Sequence, residues 1–321
     1  MKAIIVEQYG EPDVLKLRET TLTRPAAGQA FVRLFMAGVN FIDIYHRRGS
    51  YPLPLPFTPG REAAGIVEAV APDVTTVKVG DRVTFVASGS YAQGTLVPAD
   101  ILIPLPTDFS YEQGAAFPLQ GMTAHYLLHE FRRLKAGDVV LIHAAAGGMG
   151  LLLVQWARHL GVRVIGTVST DEKAESARQA GADEIILYSR QDFVAETKRL
   201  TSGHGADLII DGVGGTTFAG NLDAAATRGN IVIYGAASGP ANPIAPNSLM
   251  TRALSVSGGH LQNFMQTRTE LLGRANDVIQ GIREGWLKLR FRVMALSQAA
   301  EAHRLLENRQ TVGKLILDTS N

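Results

Sequence analysis

The stretch VVLIHAAAGGMGLLLVQWARHLG, residues 139–161, decides the fold of this chain. A short apolar strand pattern runs into a glycine-rich turn and then into a long helix pattern. The turn has the spacing Ala145-x-Gly147-x-x-Gly150, which is a dinucleotide-binding spacing with alanine at its first position. In such a turn, backbone N–H groups and the positive end of the helix face a pyrophosphate. The pattern predicts a nucleotide-diphosphate site, and a tight turn that binds nothing is the alternative.

The residues after this turn alternate between strand and helix patterns. The apolar segments VRVIGTV, EIILY, DLIIDGVG and NIVIYG are separated by amphipathic segments such as DEKAESARQAG and QDFVAETKRLT. Short apolar strands between amphipathic helices are typical of a parallel sheet that is covered on both faces. We therefore predict an α/β fold, with a doubly wound Rossmann domain over residues 122–261.

The two ends of the chain show a different pattern. Residues 1–121 contain apolar strand segments such as AFVRLFMAGV, AAGIVEAV and DRVTFVA, broken by Gly, Pro and Asp, which predicts a mostly-β, barrel-like domain. The last segments include KLRFRV, a helix SQAAEAHRLLEN capped at Ser297, and KLILD, and they do not continue the alternation. We expect residues 262–321 to complete the first domain, with the active site in the cleft between the domains.

Composition excludes several classes of function. The 31 Lys and Arg against 30 Asp and Glu leave a net charge of +1, so no global field attracts nucleic acid or an anionic membrane. The chain has no cysteine, which excludes disulfides and thiolate metal sites. The most apolar helix pattern, residues 151–160, is shorter than the ~20 residues that a membrane span needs. We expect a cytoplasmic protein that acts on small molecules.

The end of the second strand of the Rossmann domain bears on the choice of dinucleotide. An NAD site usually has an acidic side chain at this strand tip, whereas here Ser169 and Thr170 occupy it. Lys173 follows and is placed to pair with a 2′-phosphate, which favours NADP; a plain solvated lysine is the alternative. We interpret Asp171 and Glu172 as acidic residues in the first turn of a helix. Ser169 and Glu172 are predicted to form a capping box at its start.

Several further motifs together resemble one family. AGVNFIDIYHRRGSYP, PGREAAGIVEAV, QGMTAHYLL, HAAAGGMGLLLVQWA, DGVGG and NRQTVGKLIL cover nearly the whole chain in matching order. They are similar to the zinc-independent, zeta-crystallin-like quinone oxidoreductases of the medium-chain dehydrogenase/reductase superfamily. The resemblance implies a GroES-like catalytic domain, a Rossmann domain, the use of NADPH and a homodimer.

The sequence departs from the zinc-dependent relatives at their metal ligands. Those relatives have a ligating cysteine where this chain has Asn40 and a ligating histidine where it has Arg61. Their second, four-cysteine zinc site corresponds to ASGSYAQG here. Neither place keeps a set of thiolate, imidazole or carboxylate ligands, so we predict that no zinc is bound. His125 and His129 have metal-ligand spacing on a helix, but without a third ligand we interpret them as surface or core residues.

The resemblance also implies roles for individual residues. Asn40 and Thr123 would lie beside the nicotinamide, and Tyr45 and Tyr51 near the substrate. The remaining implied cofactor contacts are Gly147, Gly148 and Met149 at the pyrophosphate; Ser169, Lys173 and Tyr188 at the 2′-phosphate; and Gly214, Tyr234, Gly235, Ser238 and the C-terminal Arg309 elsewhere along the cofactor. The alternatives are that Asn40 is a turn residue, that the two tyrosines only pack, and that Arg309 is solvated.

These observations predict direct hydride transfer from C4 of NADPH to a quinone or a related electrophile. The cofactor supplies the chemistry, and the protein contributes orientation and hydrogen bonds to developing charge. Asn40 and Tyr45 are the candidates for polarising a substrate oxygen. Two alternatives stay open: reduction of an enone, enal or enoyl thioester, and an NADPH-binding sensor or structural protein with little turnover.

Overall fold

The structure is a computed structural model, which describes residues 1–21 and 24–320. The chain divides into two compact units. Unit 1 comprises Met1–Leu119, Thr267–Ala275 and Leu289–Asn321, and unit 2 comprises Gln120–Gln266 and Asn276–Lys288.

The strands are β1 (Lys2–Ile5), β2 (Lys16–Glu19), β3 (Gln29–Val39), β4 (Glu62–Val70), β5 (Arg82–Val86), β6 (Gly94–Pro98), β7 (Ile103–Pro104), β8 (Val139–Ile142), β9 (Arg163–Val168), β10 (Glu184–Leu187), β11 (Ala206–Asp211), β12 (Ala225–Ile233), β13 (Ser255–Gly258), β14 (Phe291–Ala295) and β15 (Lys314–Asp318). The α-helices are α1 (Phe41–Arg48), α2 (Tyr111–Ala116), α3 (Pro118–His129), α4 (Gly148–His159), α5 (Asp171–Ala180), α6 (Phe193–Leu200), α7 (Phe218–Ala224), α8 (Arg268–Arg283) and α9 (Ala299–Glu307). Short 3-10 helices occur between them.

Unit 1 is built around a sheet of order β14-β15-β3-β4-β5-β7, with β6 also paired to β3. The long strand β3 is central because it pairs with three other strands, and most of its apolar residues are buried. Its core includes Val32, Leu34, Phe85 and Leu317, all nearly inaccessible to solvent. The last strand, β15, joins this sheet antiparallel to β3, so the C-terminal segment packs with the N-terminal β-rich segment.

Unit 2 contains a parallel sheet of order β10-β9-β8-β11-β12-β13. Numbered from its first strand, this is the order 3-2-1-4-5-6 of dinucleotide-binding sheets. All four residues of β8 and all six of β11 are buried, as is typical of central strands in a parallel sheet; β8 is wholly apolar, whereas β11 begins and ends with buried polar contacts through Asp207 and Asp211. The order reverses between β8 and β11, where the loops after these strands open a crevice. The predicted α/β fold with a Rossmann sheet is confirmed.

Two predicted helix caps differ from the sequence analysis. The capping box of Ser169 and Glu172 is wrong: Thr170 caps α5, and its side chain accepts a hydrogen bond from the N–H of Lys173. The predicted cap at Ser297 is also wrong, because a 3-10 turn occupies Leu296–Gln298 and α9 begins at Ala299.

The C-terminal segment also divides differently from the boundary expected at residue 262. Residues 262–266 and 276–288 lie in unit 2 instead of unit 1. The reason is packing: Val278 lies against Gly121, and Trp286 stacks on His159 with ring centroids 4.0 Å apart. Within the described residues, no helix is both long and apolar enough to cross a membrane.

Candidate active site

The glycine turn after β8 leads directly into α4. Gly147 is the N-cap of this helix, and having no side chain, it leaves the first-turn N–H groups of residues 148–150 without a side-chain cap. A Cβ on Gly150 would lie 2.3 Å from the carbonyl oxygen of Ala144, so only glycine lets the helix approach the strand this closely. A Cβ on Gly148 would lie 2.5 Å from Oε1 of Gln120. This open, positively polarised turn fits a pyrophosphate.

A buried polar chain connects the carboxyl ends of β8, β9 and β11. His143 Nε2 lies 2.7 Å from Oδ1 of Asn221, and His143 Nδ1 lies 3.0 Å from Oγ1 of Thr167. Asn221 Nδ2 donates to Oδ2 of Asp211 at 2.7 Å, which orients the amide so that its oxygen accepts from His143. Burial lowers the pKa of His143, so the imidazole is neutral and donates through Nε2. The chain holds three strand ends in fixed positions.

The same aspartate shapes the third glycine loop. Oδ1 of Asp211 accepts hydrogen bonds from the backbone N–H groups of Val213 and Gly214, at 2.7 and 3.1 Å. Gly214 has a φ of +84°, a conformation that favours glycine. A carboxylate with two N–H donors and a further bond to Asn221 therefore fixes the loop that contains the predicted cofactor residue Gly214.

The loop after β12 packs against this third loop. Tyr234 lies so close to Gly212 that a Cβ on the glycine would be 2.6 Å from the Tyr234 ring. Gly235 approaches Gly212 in the same way, because a Cβ on it would lie 2.9 Å from the Gly212 carbonyl oxygen. The hydroxyl of Ser238 donates to the carbonyl of Val213 at 2.8 Å. The structure thus brings Gly214, Tyr234, Gly235 and Ser238 together.

The predicted 2′-phosphate residues meet at the ends of β9 and β10. Lys173 Nζ lies 3.4 Å from Oγ of Ser169. The backbone N–H of Tyr188 donates to Val168 at 3.1 Å, which holds the loop after β10 against the end of β9, and the Tyr188 side chain is 42% exposed. Thr123 is buried on α3 of the same unit. A cation, a hydroxyl and an exposed aromatic ring in one place suit an adenosine 2′-phosphate.

In unit 1, Asn40 lies in a buried charged cluster. Its Nδ2 donates to Oε1 of Glu62 at 2.7 Å, and its Oδ1 accepts from Nζ of Lys314 at 2.6 Å. Lys314 also donates to Oε1 of Glu62, while Glu62 Oε2 accepts the backbone N–H of Leu119 at 2.8 Å. All three side chains are almost fully buried. The lysine and the glutamate together determine which way the Asn40 amide faces.

A second buried polar cluster is joined to the first turn of α1 through Asp43. Asp43 Oδ2 accepts from the backbone N–H of Asn40 at 2.8 Å and from the Tyr91 hydroxyl at 3.1 Å. Burial raises the pKa of Asp43 to about 7, and its Oδ1 has no hydrogen-bond partner. His303 lies 3.1 Å from the Tyr91 hydroxyl, and burial, with the charge of Arg47, lowers the pKa of His303 to about 3. This cluster supports the turn that holds Asn40.

Of the other predicted residues of unit 1, Tyr51 and Arg309 are exposed and Tyr45 is half-buried. The rings of Tyr45 and Tyr51 meet edge to face with centroids 5.2 Å apart, and Tyr51 is 42% exposed. Arg309 is exposed in the turn after α9 and has a φ of +58°. Asn40 is the turn residue that precedes α1 and a member of the buried cluster, and its place beside the nicotinamide stays a prediction.

The two histidines with metal-ligand spacing have structural partners. Their rings stack on each other with centroids 4.5 Å apart, and both lie edge-on to Trp156. His125 Nε2 is 2.9 Å from a carboxylate oxygen of Asp277. In the parts of the chain that the structure describes, no group of three His, Cys, Asp or Glu residues is arranged to hold a metal ion.

Comparisons with known proteins agree with this architecture. Residues 26–107 match the family described as alcohol dehydrogenase GroES-like domain, and residues 148–276 match the family described as zinc-binding dehydrogenase. A quinone oxidoreductase of Pseudomonas aeruginosa is 40% identical over 98% of this chain and 99% of its own length. The chain belongs to the quinone oxidoreductase family of the medium-chain dehydrogenase/reductase superfamily.

Two further members of this family are informative. A 2-haloacrylate reductase of a Burkholderia species is 41% identical over 98% of each chain. The crystal structure of Escherichia coli quinone oxidoreductase complexed with NADPH matches with a TM-score of 0.96 and 38% identity, over 99% of this chain and all of the other.

Sequence reasoning missed the residues that hold the site together. Glu62 and Lys314 support Asn40, and His143, Asn221 and Asp211 support the glycine loops. One signal was present for the first pair: each charged residue stands at the start of an apolar strand segment, EAAGIV or KLILD. A charge at the start of a buried strand needs a partner, although the sequence does not say which one.

Proposed function

We propose that this protein is an NADPH-dependent quinone oxidoreductase that transfers a hydride directly from nicotinamide C4 to a quinone, without zinc. The main support is the polar chain His143–Asn221–Asp211, which holds the loops after β8 and β11 in position around the open N-terminus of α4. This arrangement suits a dinucleotide, and a tight turn that binds nothing would not require it. The family relationship supports the same conclusion.

The residues of unit 2 fit NADPH in a definite order. The N–H groups of Gly148 and Met149, with Gly147 at the N-cap, would bind the pyrophosphate. Ser169, Lys173 and Tyr188 would hold the 2′-phosphate end, whereas Gly214, Tyr234, Gly235 and Ser238 would line the cofactor beyond the third loop. We assign Thr123 and Asn40 to the nicotinamide and Arg309 to the cofactor on the family resemblance. When bound, NADPH supplies the hydride.

The chemistry of the donor set supports a reaction without zinc. A tetrahedral catalytic site needs three protein ligands from Cys, His, Asp or Glu. The chain has no cysteine, and where zinc-dependent relatives have Cys and His ligands it has Asn40 and Arg61. Asn40 Oδ1 accepts a hydrogen bond from the Lys314 ammonium, and Nδ2 gives one of its two hydrogens to the Glu62 carboxylate, so a cation and an anion of the protein orient the amide.

Asn40 and Tyr45 are the candidates for hydrogen bonding to a substrate oxygen. A quinone is a strong hydride acceptor, and water can protonate its reduced form, so no strong general acid is required. The buried ammonium beside Asn40 polarises its amide, which favours donation to an oxygen that gains negative charge. Tyr51, in contact with Tyr45, would line the same substrate region.

Reduction of an activated double bond is the second candidate function. It is favoured by one observation, the 41% identity to a 2-haloacrylate reductase. The hydride source would be the same, but the acceptor would be a carbon conjugated to a carbonyl or carboxyl group, and a proton would have to reach the neighbouring carbon.

One set of assays tests these proposals. NADPH and NADH are each offered with benzoquinone, naphthoquinone, an enal and an enoyl thioester, with and without EDTA. We expect NADPH with a quinone to give the highest turnover and EDTA to have no effect; inactivation by EDTA would contradict the zinc-free proposal. The variants N40A and Y45F should lower turnover, and unchanged rates in both would remove these residues from the chemistry. Binding of NADPH with no turnover of any acceptor would favour a sensor.

We also propose that the protein is a cytoplasmic homodimer. Strand β13 forms an edge of the six-stranded sheet, and Val256 on it is 37% exposed. An open edge with an apolar side chain suits pairing with a second copy. Light scattering should give twice the chain mass, V256K should lower it, and cell fractionation tests the location.

A further inference from the structure

Arg61 is a half-buried cation that forms no ion pair within the described part of the chain. Its Nη1 donates to the hydroxyl of Ser88 at 2.7 Å. Within residues 1–21 and 24–320, no carboxylate forms an ion pair with it, and its other N–H groups have no protein partner. Burial lowers the pKa of Arg61, which reflects the cost of removing its charge from water. A guanidinium in this state gains from a ligand anion.

Two titratable side chains of α1 interact with the charge of Arg61, and neither supplies that anion. Asp43 acts on the Arg61 charge, but its Oδ2 is bonded to Tyr91 and to the N–H of Asn40. Burial raises the pKa of Asp43 to about 7, so its negative charge is incomplete at neutral pH. The pKa of His46 is lowered to about 4 by burial and by Arg61, so His46 is neutral.

The backbone around Arg61 is held firmly. Gly60 has a φ of +91°, and a Cβ on it would lie 2.2 Å from the hydroxyl of Ser90, so this loop packs tightly against the loop before β6. The N–H of Gly89 donates to Gly60 at 3.0 Å, and that of Tyr91 donates to Pro59 at 3.0 Å. Because both loops are fixed and the Ser88 hydroxyl accepts a hydrogen bond from the guanidinium, the position of Arg61 is partly preorganised, which lowers the entropic cost of binding a ligand.

Arg61 also lies close to α1, the helix that begins after Asn40 and contains Tyr45, because its charge interacts with Asp43 and His46 of that helix. In the sequence it directly precedes Glu62, whose carboxylate accepts a hydrogen bond from Asn40 at 2.7 Å. We propose that Arg61 binds a carboxylate of the electrophile, so that the enzyme prefers acidic unsaturated carbonyl compounds to their neutral esters. The planar guanidinium matches a carboxylate through two parallel hydrogen bonds.

This proposal rests on the proposed reductase function and specifies its substrate class. The C=C bond of an unsaturated keto acid would accept a hydride at the carbon β to the ketone and a proton from water at the α carbon. The products are the saturated keto acid and NADP⁺. The hydride supplies both electrons and one hydrogen, and the proton from water is the second hydrogen. The carboxylate takes no part in the bond changes and serves only for binding.

The kinetic test compares 4-oxopent-2-enoate with its methyl ester, using NADPH and the full-length protein. We expect the wild type to have at least a tenfold higher kcat/KM for the acid, mainly through KM. R61Q should lose that preference, and R61K should keep part of it because the charge remains without the planar fork. R18Q, at an exposed arginine on β2, is the matched control and should keep the preference.

A binding experiment does not depend on turnover. Propionate, titrated by calorimetry, should bind the wild type at least tenfold more tightly than R61Q, with thermal unfolding used to show that R61Q is folded. Equal acid and ester kinetics in the wild type, or equal propionate binding by both proteins, would overturn the proposal. A third result would also overturn it. If R61Q raised the KM for NADPH by the same factor with every electrophile, Arg61 would bind the cofactor instead of the substrate. If propionate binds through Arg61 but no electrophile is reduced, the reductase function fails while the carboxylate site stands.

Discussion

The ammonium of Lys314 lies 2.6 Å from Oδ1 of Asn40, although 274 residues separate the two in the chain. Strand β15 pairs with the end of β3 and brings the lysine to the residue that follows β3. Glu62, at the start of β4, accepts hydrogen bonds from both side chains. The orientation of the Asn40 amide therefore depends on three strands that meet at one end of the sheet of unit 1.

Removing Lys314 should strongly destabilise the protein. K314M leaves the Glu62 carboxylate buried without its cation, which typically costs about 3–5 kcal/mol. Denaturation in urea should show this loss, and K314M/E62Q should regain a large part because no unpaired charge then remains. K16M, at an exposed lysine on β2, should change stability by less than about 0.5 kcal/mol. If K314M were as stable as K16M, the buried ion pair would not support the fold.

The contribution of Asp43 to stability should decrease as the pH rises. Its pKa is about 7 in the folded protein against an ordinary value of 3.8, so between these values the folded state binds more protons than the unfolded state. The free energy of unfolding of the wild type, minus that of D43N, should therefore fall between about pH 4 and pH 7, by roughly 2–4 kcal/mol.

The buried histidines should change the stability with pH in the opposite direction to Asp43. The pKa values of His46 and His303 are lowered to about 4 and about 3, so their stabilisation is present above the ordinary value of 6.5 and is lost as the pH falls. Both histidines are present in the wild type and in D43N, and the difference between the two proteins isolates Asp43. A difference that is independent of pH would contradict the raised pKa.

Lys173 should decide the preference between the two nicotinamide cofactors. K173M removes the cation beside Ser169, so we expect the KM for NADPH to rise at least about tenfold while that for NADH changes little. Steady-state kinetics with a quinone measure both values. R178M, in the last turn of the same helix, is the control that should leave the ratio unchanged. A parallel rise in both KM values would mean that Lys173 has a structural role only.

Two glycine-to-alanine changes should have opposite effects. In G150A the new methyl group would meet the backbone of residues 144 and 145 at 2.3–2.6 Å, so α4 must move away from β8. We expect a loss of about 1–3 kcal/mol and weaker NADPH binding. In G273A, on α8, nothing lies within 4 Å of the added Cβ, and the change should stabilise by about 0.5–1 kcal/mol. Thermal unfolding and NADPH titration of both variants test this contrast.

Much of unit 2 could be predicted from its sequence. The strand, the glycine turn and the helix of residues 139–161 appear where the spacing placed them, because each depends on local periodicity and on the lack of a Cβ at Gly150. The alternation of strands and helices that follows also predicted the parallel sheet. Local patterns were less reliable at single positions, since Thr170 and not Ser169 caps α5.

The sequence by itself determined the Rossmann sheet and its glycine turn, since residues close in the chain carry those signals. Only the tertiary structure decided that Lys314 and Glu62 enclose Asn40 and that Asp211 and His143 share Asn221. It also decided that no carboxylate of the residues described here forms an ion pair with Arg61. These contacts join segments far apart in the chain. A charged residue in a sequence shows that a partner is needed, but only the packing of the strands selects that partner.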